Sequence, residues 1–316
     1  MAEQPPSVVR QRIVRHTARG NAMRRAAEFA LCLLLLLWGP AGGTAAAQTP
    51  QTPTPACPEA PQYGNDAKAG HFAKVNGVSL YYEIHGQGSP LLLIHGNGGS
   101  INNLRCQIAY FSRSHRVVAA DSRSHGRSDL GEGRLTYEQI ADDLSGLLDQ
   151  LTINSADVWG HSDGGIVALL IAIRHPEKVA KLISSSPNLR PDETALFPWV
   201  IEDVRARSKN AADMIKAGDR SKDWVRIKRQ QDLTLEEPHI DIGDLQKIAS
   251  PTLLMFADSD VIPLGHALEI FNAIPRVQLF VMPGATHGMP RAESGTYNQV
   301  VAMFLDRPFA RPTSRR

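Results

Sequence analysis

Short, wholly apolar runs recur along the chain from about residue 72, with helix-spaced segments between them. Leu91–Ile94, Val117–Ala120 and Val158-Trp159 lack the alternation of a one-sided strand, so they read as parallel strands buried on both faces. Before them, Phe72–Val75 and Val78–Ile84 flank Asn76-Gly77, a pair that supplies the positive φ angles of a tight hairpin turn. Thr136 with Gln139 forms a capping box and opens an amphipathic helix to about Leu151. Gly165–His175 is a second helix, stopped by Pro176. Strands at Val179–Ser184, Thr252–Phe256 and Val277–Val281 follow, with helices at Leu264–Ile274 and near Tyr297–Leu305. Strands alternating with helices predict an α/β fold with a mostly parallel, doubly wound sheet. Between about residues 187 and 248 the strand signal gives way to charged, helical sequence. An insertion there follows a strand's C-terminal end, where such sheets bind ligands, and is expected to be a lid. The alternative is a solvated helical decoration. Phe197, Trp199 and Trp224 are its candidates for lining a pocket.

The N-terminal apolar run differs in kind. Phe29–Trp38 holds five consecutive leucines, follows Arg24-Arg25 and is succeeded by Thr44-Ala45-Ala46-Ala47. A basic region, a short apolar stretch and an Ala-x-Ala end predict a signal peptide over residues 1–47 and an exported, periplasmic or secreted protein. Ten apolar residues rise only ~15 Å as a helix, about half of a membrane's hydrocarbon core, so no stable span is expected after cleavage. Met23 is an alternative start that would leave residues 1–22 outside the protein. Residues 48–70, rich in Pro, Thr and Gln at their start, read as a flexible linker, and 71–316 as the folded domain.

Composition then narrows the function. With 42% hydrophobic and 21% charged residues, the 316-residue chain is an ordinary globular protein. Its net charge of +2 becomes about −2 without the leader and gives no argument for nucleic acid as a partner. Three cysteines cannot build a four-cysteine zinc site. Cys32 leaves with the leader, so Cys57 and Cys106 remain, either as a pair or as two thiols.

The chemistry lies in four loops. Gly160-His161-Ser162-Asp163-Gly164 is a G-x-S-x-G sequence between a strand and a helix, the setting in which the serine is thrust out on a strained turn. His95-Gly96-Asn97-Gly98-Gly99 can aim a main-chain N–H at an oxyanion, that of Asn97 paired with that of Asp163. No Gly-Lys-Ser/Thr follows, which excludes a nucleotide P-loop. Asp258-Ser259-Asp260 and His287 follow the two late strands. A serine nucleophile needs a base, and the base needs an acid to fix its tautomer; Ser162, Asp260 and His287 stand in the chain order this chemistry uses on such a sheet.

Together HGNGG, DSRSHGRSD, GHSDGG, PTLLMFADSDVIP and PGATHG identify a resemblance to the α/β-hydrolase superfamily over about residues 72–306. The resemblance implies the α/β-hydrolase fold with an inserted helical lid, and a serine hydrolase with Ser162, Asp260 and His287 as triad. It also implies Asn97 and Asp163 as the oxyanion hole and a small-molecule ester substrate, with no cofactor or metal. Asp258 matches an acidic residue that commonly precedes the catalytic acid. Asp121–Ser128 matches a structural D-x-R-G-x-G-x-S turn, departing from it with Ser124 where glycine is usual. A serine nucleophile argues against the haloalkane dehalogenases and epoxide hydrolases that share the fold. Lactone, amide and carbon–carbon bond hydrolysis stay open with the same residues, as does a catalytically silent binding domain, and the oligomeric state is not legible.

Overall fold

The computed structural model describes Cys57 and residues 63–311. The expected signal peptide and residues 48–56 and 58–62 of the expected linker lie outside the described residues. The described residues belong to one compact unit. Its first strands, β1 (Gly70–Val75) and β2 (Val78–His85), form the expected hairpin, with Asn76 and Gly77 at φ 44° and 78°. Residues 63–69 were expected in the linker, yet they pack on β2. Asp66 N–H donates to the buried Glu83 carboxylate (3.0 Å), and the Tyr63 ring meets that of His85 at 4.9 Å.

Strand β3 (Ser89–Ile94) leads to α1 (Arg105–Phe111) and β4 (His115–Ala120). Helix α2 (Tyr137–Gln150) begins at the Thr136–Gln139 capping box, in which Gln139 N–H donates to Thr136 Oγ1 and Thr136 N–H to Gln139 Oε1. Then come β5 (Ala156–His161), α3 (Asp163–Arg174) and β6 (Val179–Ser185). The insertion is helical as read, with α4 (Pro198–Lys216) and α5 (Trp224–Glu236). Strand β7 (Thr252–Ser259), α6 (Leu264–Ala273), β8 (Val277–Thr286), the short α7 (Met289–Ala292) and α8 (Ser294–Asp306) complete the described chain.

The eight strands lie in the order β1-β2-β4-β3-β5-β6-β7-β8, parallel from β4 to β8. Alternate residues of each strand serve opposite faces, so the sheet divides the core in two. Leu92, Ile94 and Val158 pack with residues of α2, α3 and α6; Leu91, Leu93 and Trp159 pack with those of α1 and α8. All six strand residues are essentially fully buried, which is why their sequence runs show no polar alternation. Helix α1 was not read from the sequence: seven residues carry too little periodicity to stand out. Cys106 on α1 forms a disulfide with Cys57. Among the described residues, no helix is long and apolar enough to cross a membrane.

Candidate active site

The turn between β5 and α3 is the sharpest feature of the fold. Ser162 sits at φ 58° and ψ −125°, a left-handed conformation that side-chain-bearing residues adopt only when their surroundings enforce it. Two glycines permit it. A Cβ at Gly160 would stand 1.9 Å from Gly164 O, and one at Gly164 would stand 2.2 Å from Ile94 O. The turn is held by Ser162 N–H donating to Ser185 O (2.8 Å) and by Ser162 O accepting from Gly165 N–H (2.7 Å). The Ser162 side chain thus stands at the N-terminus of α3, where the helix dipole favours negative charge.

His287, in the loop that ends β8, reaches this serine. Its Nε2 lies 3.0 Å from Ser162 Oγ, and its Nδ1 lies 2.6 Å from Asp260 Oδ1. Asp260 is 6% exposed and accepts from Ser186 Oγ (2.6 Å), Ala257 N–H (3.2 Å) and Val261 N–H (2.7 Å). Burial alone would raise its carboxyl; the hydrogen bond and charge of His287, with Ser186 and Ala257, outweigh that and hold it at about 2. Asp260 is therefore an anion at any working pH. The other late-loop acid, Asp258, accepts from Gly284 N–H (2.7 Å) and Ala285 N–H (3.2 Å), so it fastens the loop that carries His287.

His161 packs its ring against that of His287, with centroids 4.8 Å apart, while its Nδ1 pairs with Ser185 Oγ at 3.1 Å. Desolvation, reinforced by repulsion from His287, pushes it down to about 3, so it stays neutral. It braces the His287 ring and brings no second positive charge.

Opposite Ser162 runs the loop after β3. A Cβ at Gly96 would come within 3.1 Å of Ser162 Cβ, so this loop lies directly against the serine. His95 pins it, with Nδ1–H donating to Gly96 O (2.8 Å) and Nε2 accepting from Ser122 N–H (3.1 Å). Asn97 N–H makes no main-chain hydrogen bond with any described residue, and Asp163 N–H falls in the first turn of α3, where no intrahelical acceptor exists. The Asn97 side chain does something the sequence did not suggest. Its Nδ2 donates to Gln230 O and Thr234 Oγ1, both at 2.7 Å, tying the loop to α5. Helix α5 is fastened further by Gln230 to Ser124 O, Arg226 to Ser128 O, and Arg229 to Leu130, Gly131 and Gly133 O. Burial raises the Asp163 carboxyl, against the opposing pull of Tyr137 and Asn97.

A cavity of about 310 Å³ opens beside Ser162, between α1 and the loop following His287. The expected pocket residues of the insertion are not in its walls: Phe197 and Trp199 are solvent-exposed, and Trp224 donates its indole N–H to Asp219 on the insertion itself. The walls come instead from Asn103, Leu104, Gln107, Trp159, Pro290 and Arg291, beside the loop glycines and histidines. The sequence reading missed α1 and α7 as short elements and so missed their side chains. It also missed Ser186, although a run of three serines ending a buried strand is a signal that polar side chains are needed there.

Comparison with known proteins agrees with this architecture. Residues 89–222 match a family model described as the alpha/beta hydrolase fold. The chain is 28% identical over 246 residues to the mouse (Mus musculus) serine hydrolase BPHL, covering 73% of this chain and 84% of that one. The enol-lactonase from Burkholderia xenovorans LB400 superimposes with a TM-score of 0.64 at 21% identity, covering 75% of this chain and all of that one. A thermophilic esterase from Thermogutta terrifontis gives a TM-score of 0.61 at 25% identity, over 76% and 99% of the two chains.

Proposed function

We propose that this chain, a hydrolase belonging to the α/β-hydrolase superfamily, cleaves carboxylic esters through an acyl-enzyme on Ser162. The observation that carries the proposal is the single imidazole of His287, 3.0 Å from the Ser162 hydroxyl on one side and 2.6 Å from the anionic Asp260 on the other. Ser162 Oγ attacks the ester carbonyl while His287 Nε2 accepts its proton. Asp260 holds Nδ1–H and stabilises the imidazolium that forms. The tetrahedral oxyanion is received by the N–H groups of Asn97 and Asp163, each contributing about 3–4 kcal/mol to the barrier reduction. His287 then protonates the leaving alcohol, and a water activated by the same imidazole hydrolyses the acyl-enzyme. The esterase relative at 25% identity supports an ester as substrate.

In the same proposal the chain is exported and its insertion covers the side of the site next to Asn97. The Cys57–Cys106 disulfide supports an oxidising compartment. The test is release of p-nitrophenol from short-chain p-nitrophenyl esters by the purified protein, with labelling by a fluorophosphonate probe. Turnover and labelling that both vanish in Ser162→Ala are expected. Absence of labelling in the wild-type protein, or turnover that persists in Ser162→Ala, would overturn the proposal.

A further inference from the structure

The cavity beside Ser162 is lined without a single Asp or Glu. The one permanently charged side chain in its wall is Arg291, on α7, four residues beyond His287. The backbone that carries it is fixed from two sides. Arg291 N–H donates to Gly288 O (3.1 Å), and Gln107 Nε2 on α1 donates to Pro290 O (2.6 Å) and to Asn298 Oδ1 (3.1 Å). The guanidinium itself makes no ion pair or hydrogen bond with any described residue. This contrasts with Arg123, Arg174 and Arg190, each of which is bound to a carboxylate through two nitrogens. At the same wall, Asn103 uses its Oδ1 to accept from Ser100 N–H (3.0 Å), which leaves its amide NH₂ as a further donor. Leu104, Trp159 and Pro290 supply apolar surface to the same cavity.

Resting on the esterase reading above, we propose that this cavity selects esters that carry a carboxylate, with Arg291 as the residue that binds it and the Asn103 amide as a second donor. A planar fork of five N–H donors beside an acid-free wall is matched to a carboxylate and gives no advantage to an ammonium or a neutral alkyl chain. The reaction is unchanged: the elements of water add across the ester bond, giving an acid and an alcohol. What the charge changes is which esters are held with their carbonyl at Ser162.

The experiment compares kcat/KM within two pairs in which a carboxylate replaces a methyl group. Monomethyl adipate against methyl hexanoate puts the charge on the acyl side; the acetyl ester of γ-hydroxybutyrate against butyl acetate puts it on the alcohol side. Acid release is followed in a pH-stat. In at least one pair the charged ester is favoured about 10-fold, the discrimination expected of one charge-assisted contact shared with solvent. Arg291→Gln removes most of that ratio, Arg291→Lys retains part of it, and added salt lowers it. Charged-to-neutral ratios at or below one in both pairs overturn the inference and leave the esterase reading standing. So does a ratio that Arg291→Gln does not change. Fluorophosphonate labelling of Ser162 with turnover of none of the four esters also overturns it. Absence of Ser162 labelling is the separate outcome that removes the esterase reading itself.

Discussion

Replacing Ser124 by glycine should stabilise the protein. Ser124 is fully buried in the turn after β4 and holds φ at 65°, and its hydroxyl has no hydrogen-bond partner among the described residues. The main chain there is well used: Ser124 N–H donates to Asp129 O (2.9 Å) and Ser124 O accepts from Gln230 Nε2 (2.7 Å). Both bonds survive in Ser124→Gly. The left-handed backbone costs a residue with a Cβ about 1–2 kcal/mol, and an unpaired buried hydroxyl costs about 1–3 kcal/mol. Against these stand about 0.4–1 kcal/mol for the freer unfolded chain and roughly 0.8 kcal/mol of lost packing. At mid-range a net gain of about 2 kcal/mol follows, which for a domain of this size raises Tm by roughly 4–8 °C. Calorimetry or urea unfolding reads it directly. Ser124→Ala separates the two contributions, because it removes the hydroxyl and keeps the strained backbone; it should gain less than glycine. A glycine variant no more stable than wild type would refute the reasoning, and an alanine variant equal to glycine would remove the backbone strain from it.

Acid should also act through a nameable group. Burial would raise the Glu83 carboxyl, but His85, the Gly64 and Asp66 N–H groups and the Tyr81 hydroxyl hold it at about 2 against its ordinary 4.5. The unfolded chain therefore binds the proton first, and this carboxylate contributes about 3 kcal/mol above pH 4.5, with roughly 2 kcal/mol gone by pH 3. Urea unfolding at pH 7 and pH 3 should show a smaller difference for Glu83→Gln than for wild type; equal differences would count against the assignment. Reduction of Cys57–Cys106, which closes a loop of 49 residues in sequence, should lower stability by up to about 4 kcal/mol on the chain-entropy account. Matching unfolding curves with and without reductant would contradict it.

How much of this was legible depended on whether a residue's partners are local. Leu91–Ile94 reads as a strand because a position buried on both faces admits only apolar side chains. Ser162 reads as exceptional because Gly160 and Gly164 mark a crowded turn within five residues. Asp260 and His287 follow from the order of strand ends. Gln107 gave no such signal, since it matters through contacts with sequence far away that residue type alone does not announce, and the serine run ending at Ser186 does not say which carboxylate it meets. The C-terminal end of β8 was misplaced for a related reason. Pro283 argues against a strand, yet β8 is an edge strand, and a missing N–H there breaks no ladder that must be filled. The aromatic residues of the insertion were judged by type, and exposure to solvent is what type does not fix.

The insertion can look like an interchangeable module, a pair of helices set between β6 and β7 that evolution or an engineer could exchange to obtain new substrates. The Asn97 amide says otherwise. It ends on Gln230 O and Thr234 Oγ1 of α5, so any graft over residues 187–248 inherits the task of anchoring the loop beside Ser162. A transplanted helix without an acceptor at that point would leave the donor of Asn97 stranded and the loop less defined, whatever pocket it brought. Diversification of this scaffold is therefore freer in α4, which makes no such bond to the loop, than in α5, whose sequence is written partly by the core beneath it.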